Sequence, residues 1–426
     1  MLRRKVSGQL LLIAFALMGW TVACRPRDND RAAASLKATP LPQSYHFYLH
    51  DWTGDEGLIP LDRETLAAQP NGQALEPGVL SADGSTGVTI EYARGRASID
   101  PEHLWVVVYD LESGAERNRF HPPARAFISG LSADGSRLLL RPDPFPPTSY
   151  PPPVEWHLVD TANGNQLAHI QDKTNACFRQ RALLDPPGGR IYCLVDPALK
   201  ESDGPQPLRV AAYDIESGQK AAEIELPQAL IGGTHSERDG LPLEEFLEPA
   251  LVLSPDGRQL AIVHAEADKV TLLKAQKLVV ERTFSIEPVV SLWELLVPNV
   301  AHAKVEMSGT IRQARFSLNG GHLYVFTHEV LATDEEPPEE RGLWLVDLER
   351  GLITAKALSD YQIQWVESAP DGSVYVFGTT DERLLPFQIR EDSPSKLWRL
   401  DGFTLEALAE RDLTGFRQGS LVLDGE

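Results

Sequence analysis

Short apolar runs separated by turn residues recur along this chain, and segment 250–274 shows the pattern most fully. Its first two runs, 251–253 and 260–263, are rich in branched apolar side chains, which favour strands buried on both faces. Between them lies Asp256 followed by Gly257, a pair that supplies the positive φ that tight hairpin turns require. A third apolar run follows after a short loop. The segment is therefore predicted to form a β-hairpin that continues into a third strand.

Variants of this hairpin recur, and their turn glycines lie 51, 53, 69, 63 and 52 residues apart. The other copies begin at Leu80, Leu131, Leu184, Phe316 and Ser368. A second motif follows most copies: an aspartate four residues before a glycine, at Asp110, Asp160, Asp214 and Asp347. This motif predicts a third strand that turns into a fourth. Four strands per unit at such spacing are typical of a β-propeller.

The chain ends determine the expected number of blades. Residues 421–426 resemble the first strand and turn of another unit, and the segments that start at Ser44 and Leu58 would supply its remaining strands. Six whole units and one split unit predict an all-β, seven-bladed propeller with four-stranded antiparallel blades. Pairing of the N- and C-terminal strands would close the ring and leave no open sheet edge.

With its SPDG turn, Ser254 to Gly257, and the related turns, the chain resembles the bacterial WD-like propellers. That group includes the YVTN-type surface repeats and the periplasmic propellers of the Tol system. The resemblance covers residues 44–426 and implies a propeller architecture, whereas unrelated activities share this scaffold. Two units depart from the pattern: Asn319 replaces the turn aspartate in one, and Lys274 replaces the second aspartate in another.

Residues 1–23 have the pattern of a secretory signal peptide. Three basic residues near the start are followed by an apolar run at 10–18, too short to span a bilayer, and by Ala23. Cys24 follows directly, as in a lipobox, which implies cleavage and lipidation of Cys24, although Thr21 departs from the usual leucine. A soluble secreted protein and an uncleaved membrane anchor are the alternatives.

Residues 24–43 are polar and rich in Ala and Pro, so we expect a flexible tether between the lipid on Cys24 and the propeller at 44–426. Arg25 follows Cys24, where lipoproteins retained in the inner membrane have an aspartate. In a bacterium with two membranes we therefore expect the outer membrane, with the protein facing the periplasm. The expected location is therefore extracytoplasmic, on the cell envelope.

Net charge limits the kinds of partner. Residues 1–23 carry three basic and no acidic side chains. The remainder of the chain has 37 basic and 61 acidic side chains, which gives a net charge of −24. Such a surface repels phosphate backbones and anionic lipid headgroups. We expect no nucleic-acid binding and membrane contact through the lipid only, with an envelope protein or a small ligand as partner.

Two cysteines remain after Cys24. Cys177 and Cys193 could form a disulfide, which would persist outside the cytoplasm, or could be two small buried side chains. The hairpin register places Cys193 opposite about Ala182, so Cys177 reaches it only if the intervening segment folds back.

No catalytic, cofactor or metal motif is apparent. The chain lacks HExxH, CxxC, GxSxG, a phosphate-binding loop and a dinucleotide fingerprint. His46 and His50 share a strand face but lie about 13 Å apart along an extended chain, too far to bind one ion. We therefore predict no catalytic residues, no cofactor and no metal.

Loop lengths indicate which face of the ring binds. Turns between strands one and two and between strands three and four are short, whereas the long segments fall on the other face. These long segments are 141–153, 196–207, 227–249, 286–309, 328–341 and 379–396. Binding residues concentrate on loops held by a rigid scaffold, so this face is the predicted binding face.

Two of these segments carry candidate partner residues. A proline-rich stretch, 142–153, must be extended, and it either presents aromatic residues to a partner or packs over a neighbouring blade. Segment 288–300 has apolar residues at helical spacing, and it forms either a docking site or a cap on the central channel. The candidate residues are Phe145, Tyr150, Val289, Leu292, Trp293 and Leu296.

The leading hypothesis is a lipid-anchored propeller that binds a protein or ligand through its long-loop face and performs no catalysis. The alternative is an enzyme, a hydrolase or lactonase or a quinoprotein-like dehydrogenase subunit, with its site at the channel mouth. Convergence of two or more acidic or histidine side chains on that mouth would favour the enzyme. A purely structural envelope component is the third hypothesis.

Overall fold

The computed structural model describes most of the chain from residue 45 onward. The described residues are 45–51, 57–69, 79–92, 104–142, 154–177, 182–185, 189–196, 204–238, 241–288, 309–329, 342–380, 394–414 and 417–423, without positions 82, 84, 112, 125 and 133. The chain divides into units 1–40 and 41–426, and all described residues belong to the second. The predicted signal peptide, Cys24 and most of the tether fall in the first, outside the described residues.

The Ser-x-Asp-Gly turns, with Asn in place of Asp in one, close the first hairpin of four repeats through side-chain hydrogen bonds. Ser254 Oγ donates to Asp256 Oδ1 at 2.6 Å and accepts a bond from the backbone N–H of Gln259 at 2.9 Å. Gly257 adopts a φ of 69°, as the turn requires. The same pair of bonds forms around Ser81, Ser132 and Ser317. These polar residues therefore set the register of the apolar strands on either side.

The Asp-x-x-x-Gly turns close the second hairpin. At Asp110, Oδ1 accepts from the Ser113 N–H at 2.8 Å, and the backbone oxygen accepts from the Gly114 N–H at 2.8 Å. Gly114 has a φ of 68°. Leucines take the same left-handed position in three other hairpins, at Leu66, Leu278 and Leu405. The turn geometry is thus retained where glycine is absent.

Four of the sheets in the described part of the chain are four-stranded antiparallel blades with strands in sequential order. The first blade is β3 (Val79–Leu80), β4 (Thr86–Tyr92), β5 (Leu104–Asp110) and β6 (Glu116–Phe120). The second is β7 (Ala126–Leu131), β8 (Arg137–Pro142), β9 (Val154–Asp160) and β10 (Gln166–Asp172). The third is β16 (Ala250–Leu253), β17 (Gln259–Val263), β18 (Lys269–Lys274) and β19 (Val279–Ser285). The fourth is β25 (Gln362–Ser368), β26 (Ser373–Thr379), β27 (Pro394–Asp401) and β28 (Ala407–Thr414).

The other described strands form two sheets of different size. The larger has ten strands: β11 (Leu183–Asp185), β12 (Arg190–Val195), β13 (Gln206–Asp214), β14 (Lys220–Arg238), β15 (Leu241–Glu248), β20 (Glu287–Pro288), β21 (Gly309–Phe316), β22 (His322–Glu329), β23 (Leu343–Asp347) and β24 (Leu352–Ala357). The smaller has three: β1 (Tyr45–Asp51), β2 (Gly57–Leu61) and β29 (Arg417–Leu423). The all-β propeller is therefore confirmed, but the prediction of seven four-stranded blades is wrong, since the described residues form four.

The segment 227–249 explains much of this difference. It was expected to be a loop, but β14 extends over 19 residues and its second half pairs antiparallel with β15. β15 then pairs in parallel with β21, from Phe246 opposite Gly309 to Glu248 opposite Ile311. These backbone bonds satisfy strand edges that would otherwise be open, and they join two sets of strands into one sheet.

The terminal strands pair as expected. β1 and β29 run antiparallel, with Tyr45 opposite Leu423 and Asp51 opposite Arg417. The resulting sheet has only three strands in the described residues, and it contacts the fourth blade through the stacked rings of Phe47 and Tyr375, whose centroids are 4.0 Å apart. The chain ends therefore close the ring of sheets.

The apolar core lies between facing sheets. Val88 and Val106 of the first blade, for example, pack against Leu138 of the second. Leu111, after β5, packs against Tyr48 of the terminal sheet. The first strands also contact one another, β3 with β7, β7 with β11, β16 with β21, β21 with β25 and β25 with β29. These strands line the inside of the ring.

Candidate functional site

An inner pocket lies where the first strands of three repeats meet. Its volume is about 140 Å³. The lining residues are Ala182, Leu183, Leu194, Glu248, Pro249, Ala250, Leu251, Val252, Arg312, Gln313 and Ala314. Eight of these are apolar and three are polar.

The inner pocket lies on the long-segment face of the ring. Ala250 to Val252 begin β16, and Leu194 lies near the end of β12, whereas the Ser-x-Asp-Gly turns lie at the opposite ends of these strands. Segment 196–207 leaves β12 at this end, and segment 286–309 leads into β21 from it. The cavity is therefore on the face that loop lengths predict to be the binding face.

Arg312 is a firmly anchored polar residue of the pocket. It is 4% exposed, and its Nη2 donates to Asp268 Oδ1 at 2.9 Å. Its Nη1 donates to the hydroxyl of Thr327, and the guanidinium lies 5.5 Å from the centre of the Trp344 ring. Asp268 belongs to the connection between β17 and β18, so this ion pair links the third blade to the ten-stranded sheet.

Glu248 adds a buried carboxylate to the wall. It is 2% exposed, and it pairs across the parallel strands with Ile311, the residue before Arg312. Gln313 completes the polar part of the lining. One carboxylate and no histidine line the pocket as the described residues form it, so it lacks the paired groups that acid–base catalysis needs.

The dimensions of the inner pocket suit one apolar group. An engineered protein cavity of about 150 Å³ holds a benzene molecule, so this volume matches one apolar side chain or a small ring. The polar residues lie along the β15–β21 side, and the leucines and Val252 provide the remainder of the surface.

A second group of chemically active side chains lies on β9 and β10. The acceptor and donor atoms of Glu155, His157 and His169 all lie within 4.8 Å of one another. No short sequence motif contains these residues, because His169 lies on a different strand from Glu155 and His157.

The repeat register could have found the two histidines. Four of the second hairpins turn between an aspartate and a glycine four residues later. The residue three positions before that aspartate pairs with the residue five positions after that glycine. Val107 pairs with Arg119 in this way, and Trp344 pairs with Lys356. In the β9–β10 hairpin this position holds His157 opposite His169.

Most predicted site residues lie outside the described residues. These are Cys24, Phe145, Tyr150, Val289, Leu292, Trp293 and Leu296. The structure therefore gives no geometry for the predicted lipidation site or for the candidate partner residues.

Cys177 and Cys193 are joined by a disulfide, with their Cα atoms 5.7 Å apart. Both residues are buried between the second blade and the ten-stranded sheet. After β10 the chain turns back along β12, where Cys177 bridges to Val195 and the Asp196 N–H donates to the Ala176 oxygen. This return supplies the fold-back that a bond between these two cysteines requires.

No helix in the described part of the chain has the length and apolar character needed to cross a bilayer.

Comparisons with known proteins give structural neighbours only. No family model and no curated protein matches the chain. The dihydro-heme d1 dehydrogenase NirN in complex with DHE is similar at 13% identity and TM-score 0.46, over 88% of this chain and 74% of that chain. BamB from Moraxella catarrhalis is similar at 12% identity and TM-score 0.39, over 79% of this chain and 75% of that chain. The β-propeller domain of Cps50 (Swd1) from Myceliophteria thermophila is similar at 13% identity and TM-score 0.40, over 80% of this chain and 87% of that chain. These scores are too low to carry an argument about this chain.

Proposed function

We propose that this chain is a protein-binding propeller that accepts one apolar side chain of a partner in the inner pocket and performs no catalysis. The observation that carries the proposal is the pocket itself, which is apolar on most of its surface and lies on the long-segment face. A rigid sheet framework surrounds it, and well-packed pockets of this kind hold the residues that dominate protein interfaces.

The fixed polar residues support binding over chemistry. The Arg312 guanidinium is held by Asp268, Thr327 and Trp344, so the wall of the pocket is organised before a partner arrives. Preorganisation reduces the ordering that binding must impose on the protein. A hydrolase site would instead need a nucleophile or a pair of acid and base groups directed at one point.

The candidate residues in the neighbouring segments extend this proposal. Segment 288–300 is connected directly to β20 and leads toward β21, whose residues line the pocket. We expect Val289, Leu292, Trp293 and Leu296 to contact the same partner, with Phe145 and Tyr150 nearer the second blade.

The cellular location is part of the proposal. The signal-peptide pattern of residues 1–23 and the position of Cys24 support a lipid anchor, with 24–43 as tether. The resemblance to SPDG-repeat propellers supports the cell envelope, and a disulfide such as Cys177–Cys193 persists in an oxidising compartment. Changing Cys24 to Ser should release the protein from membranes, measured by fractionation and by mass spectrometry of the lipidated N-terminus. Retention on the membrane would contradict the lipid anchor.

The pocket proposal is tested by selecting phage-displayed random peptides on the immobilised full-length chain. Ala314→Phe fills the pocket from β21. The control, Ser129→Phe, places the same ring on the first strand of another repeat, β7, three residues before its turn serine and outside the pocket lining. We expect selected peptides to share one apolar side chain and to lose at least tenfold in affinity for Ala314→Phe but not for Ser129→Phe.

Two results would contradict the proposal. Equal affinity of the selected peptides for both variants would exclude the inner pocket as the binding site. Failure to select any peptide, with a folded protein verified by circular dichroism, would leave the apolar cavity without the binding role assigned to it.

A further inference from the structure

His157 and His169 form a cross-strand pair at the outer side of the second blade. They lie opposite each other on β9 and on the edge strand β10, and their rings stack with centroids 4.6 Å apart. Glu155 is two residues before His157 on β9, so it lies on the same face of the sheet. His169 Nε2 and Glu155 Oε1 are 3.1 Å apart.

The environment of His157 is the unusual feature. The residue is 7% exposed, and its Nδ1 is 2.8 Å from the Gln166 side-chain oxygen. An oxygen there accepts the Nδ1 proton, so the neutral ring carries a lone pair on Nε2. Among the described residues, that buried Nε2 has no hydrogen-bond partner, and it lies 3.8 Å from Glu155 Oε1.

An electron-rich nitrogen therefore faces a carboxylate oxygen. The 3.8 Å between these two atoms exceeds hydrogen-bond distance, so the two groups do not satisfy each other by a hydrogen bond. A cation bound by both atoms would satisfy the lone pair and the carboxylate together. Metal-bound histidines commonly donate their second ring N–H to an oxygen, as His157 does to Gln166.

We propose that Glu155, His157 and His169 bind one divalent transition-metal ion of the zinc class. Two imidazole nitrogens and one carboxylate oxygen suit borderline ions such as Zn²⁺, whereas Ca²⁺ and Mg²⁺ prefer oxygen ligands throughout. Three protein ligands leave one tetrahedral position for water or for a ligand atom from another molecule. The exposed edges of Glu155 and His169 give an ion access from solvent.

Binding requires a small local rearrangement. The two rings are nearly parallel, at 3°, so one must turn for both Nε2 lone pairs to meet the same ion. His169, with 39% of its side chain exposed, is the ring that can turn. Its backbone stays in place, because the Gly218 turn of the ten-stranded sheet packs against the His169 carbonyl.

The proposal is tested with Zn²⁺ and Co²⁺ on the full-length chain. We expect one Zn²⁺ per chain by isothermal titration calorimetry, and Co²⁺ absorption bands in the visible range that indicate four or five ligands including nitrogen. His169→Ala and Glu155→Gln, both at exposed positions, should each weaken Zn²⁺ binding at least tenfold. Gln166→Leu should weaken it about tenfold by removing the outer hydrogen bond to His157.

The matched control is His322→Gln. His322 also has a buried ring nitrogen, Nδ1, with no hydrogen-bond partner in the part of the chain that the structure describes, but it does not belong to the three-residue cluster. We expect this variant to bind Zn²⁺ like the unmodified chain. Absence of Zn²⁺ binding, or equal binding by His169→Ala, Glu155→Gln and His322→Gln, would overturn the proposal.

Discussion

The inner pocket and the histidine cluster are built in opposite ways. The pocket collects residues from 182 to 314 in the sequence, on five described strands and the positions between them. The cluster comes from a single hairpin, between Glu155 and His169. One site therefore depends on the relative placement of neighbouring sheets, and the other on the register of two adjacent strands.

The pocket therefore requires correct packing between sheets, whereas the cluster requires only a correctly formed hairpin. Arg312 and Asp268 fix the pocket by joining two sheets, whereas a turn at Asp160 and Gly164 fixes the cluster. Changes between the third blade and the ten-stranded sheet should affect the pocket first, and changes in the β9–β10 hairpin or directly against it should affect the cluster first.

Replacing Arg312 with Ala should have the largest effect. The Asp268 side chain is 41% exposed, so water compensates it for the lost partner. The cost comes mainly from the buried space that Arg312 fills against Trp344 and from its lost hydrogen bonds, and we expect about 3–5 kcal/mol of unfolding free energy. Peptide binding should be lost and Zn²⁺ binding retained. Urea unfolding and the two titrations measure these effects.

The control for this change is Arg315→Ala on the same strand. Arg315 pairs with Glu367, but 51% of its side chain is exposed, so the expected loss is below about 1 kcal/mol. Equal destabilisation by the two variants would show that the Arg312 pair does not hold the sheets together.

Removing the disulfide should come next in magnitude. Cys177 and Cys193 are 16 residues apart, and a loop of about that length contributes roughly 3 kcal/mol in the chain-entropy description. The double variant Cys177→Ala, Cys193→Ala should show this loss in urea unfolding. Because the bond ties the chain after β10 to β12, Zn²⁺ affinity should fall more than peptide affinity. The opposite order would contradict the separation of the two sites.

Gly218→Ala should perturb the cluster from the neighbouring sheet. Gly218 has a φ of 66°, and an added Cβ would meet the His169 carbonyl oxygen at 2.6 Å. Strained backbone of this kind costs about 1–3 kcal/mol, and displacement of His169 should weaken Zn²⁺ binding.

Gly320→Ala provides the matched comparison. Its φ is 70°, but an added Cβ would have no atom within 4 Å. The expected cost is the left-handed conformation alone, about 1–2 kcal/mol, with unchanged Zn²⁺ affinity. Thermal unfolding and calorimetry of both variants would reveal whether the close approach to His169 matters.

The smallest effect concerns the aspartates in the hairpin turns of the repeats. The hydrogen bond from Ser254 Oγ, followed by the Arg258 N–H, holds the pKa of Asp256 below its ordinary value. Hydrogen bonds from the Ser113 N–H and from Arg117 lower the pKa of Asp110 to about 2. Since these folded-state pKa values lie below the unfolded value of about 3.9, the stabilisation is complete above it and is lost as pH falls toward about 2.

Asp256→Asn tests this turn contribution. Asn319 already accepts the serine hydrogen bond in another repeat, so the amide should preserve the turn. Thermal unfolding should change little at neutral pH, and the loss of stability in acid should be smaller than in the unmodified chain. An unchanged acid profile would show that Asp256 does not contribute.

The sequence predicts the hairpins well because their turn chemistry is local. Ser254 and Asp256 lie within one turn, and the Asp110–Gly114 motif fixes the register of the next pair. The number of blades was predicted wrongly because it depends on which strand edges meet. The pairing of β15 with β21 joins residues more than sixty apart, and no local pattern in 227–249 specifies it.

The two sites differ in the same way. The inner pocket could not be located from sequence, since Leu194, Glu248 and Arg312 meet only after three repeats are placed side by side. The histidine pair, in contrast, can be predicted from the sequence. Counting three residues back from Asp160 and five forward from Gly164 gives His157 and His169, and the same count gives Val107 and Arg119 in the first blade.

The most direct test of the account is a crystal structure of the full-length chain with a selected peptide. The account predicts that one apolar side chain of the peptide lies between Leu251 of β16 and Ala314 of β21, within reach of the fixed Arg312 side chain. A peptide bound on the plain face of the ring, or on the outer strands, with the inner pocket unchanged, would contradict it.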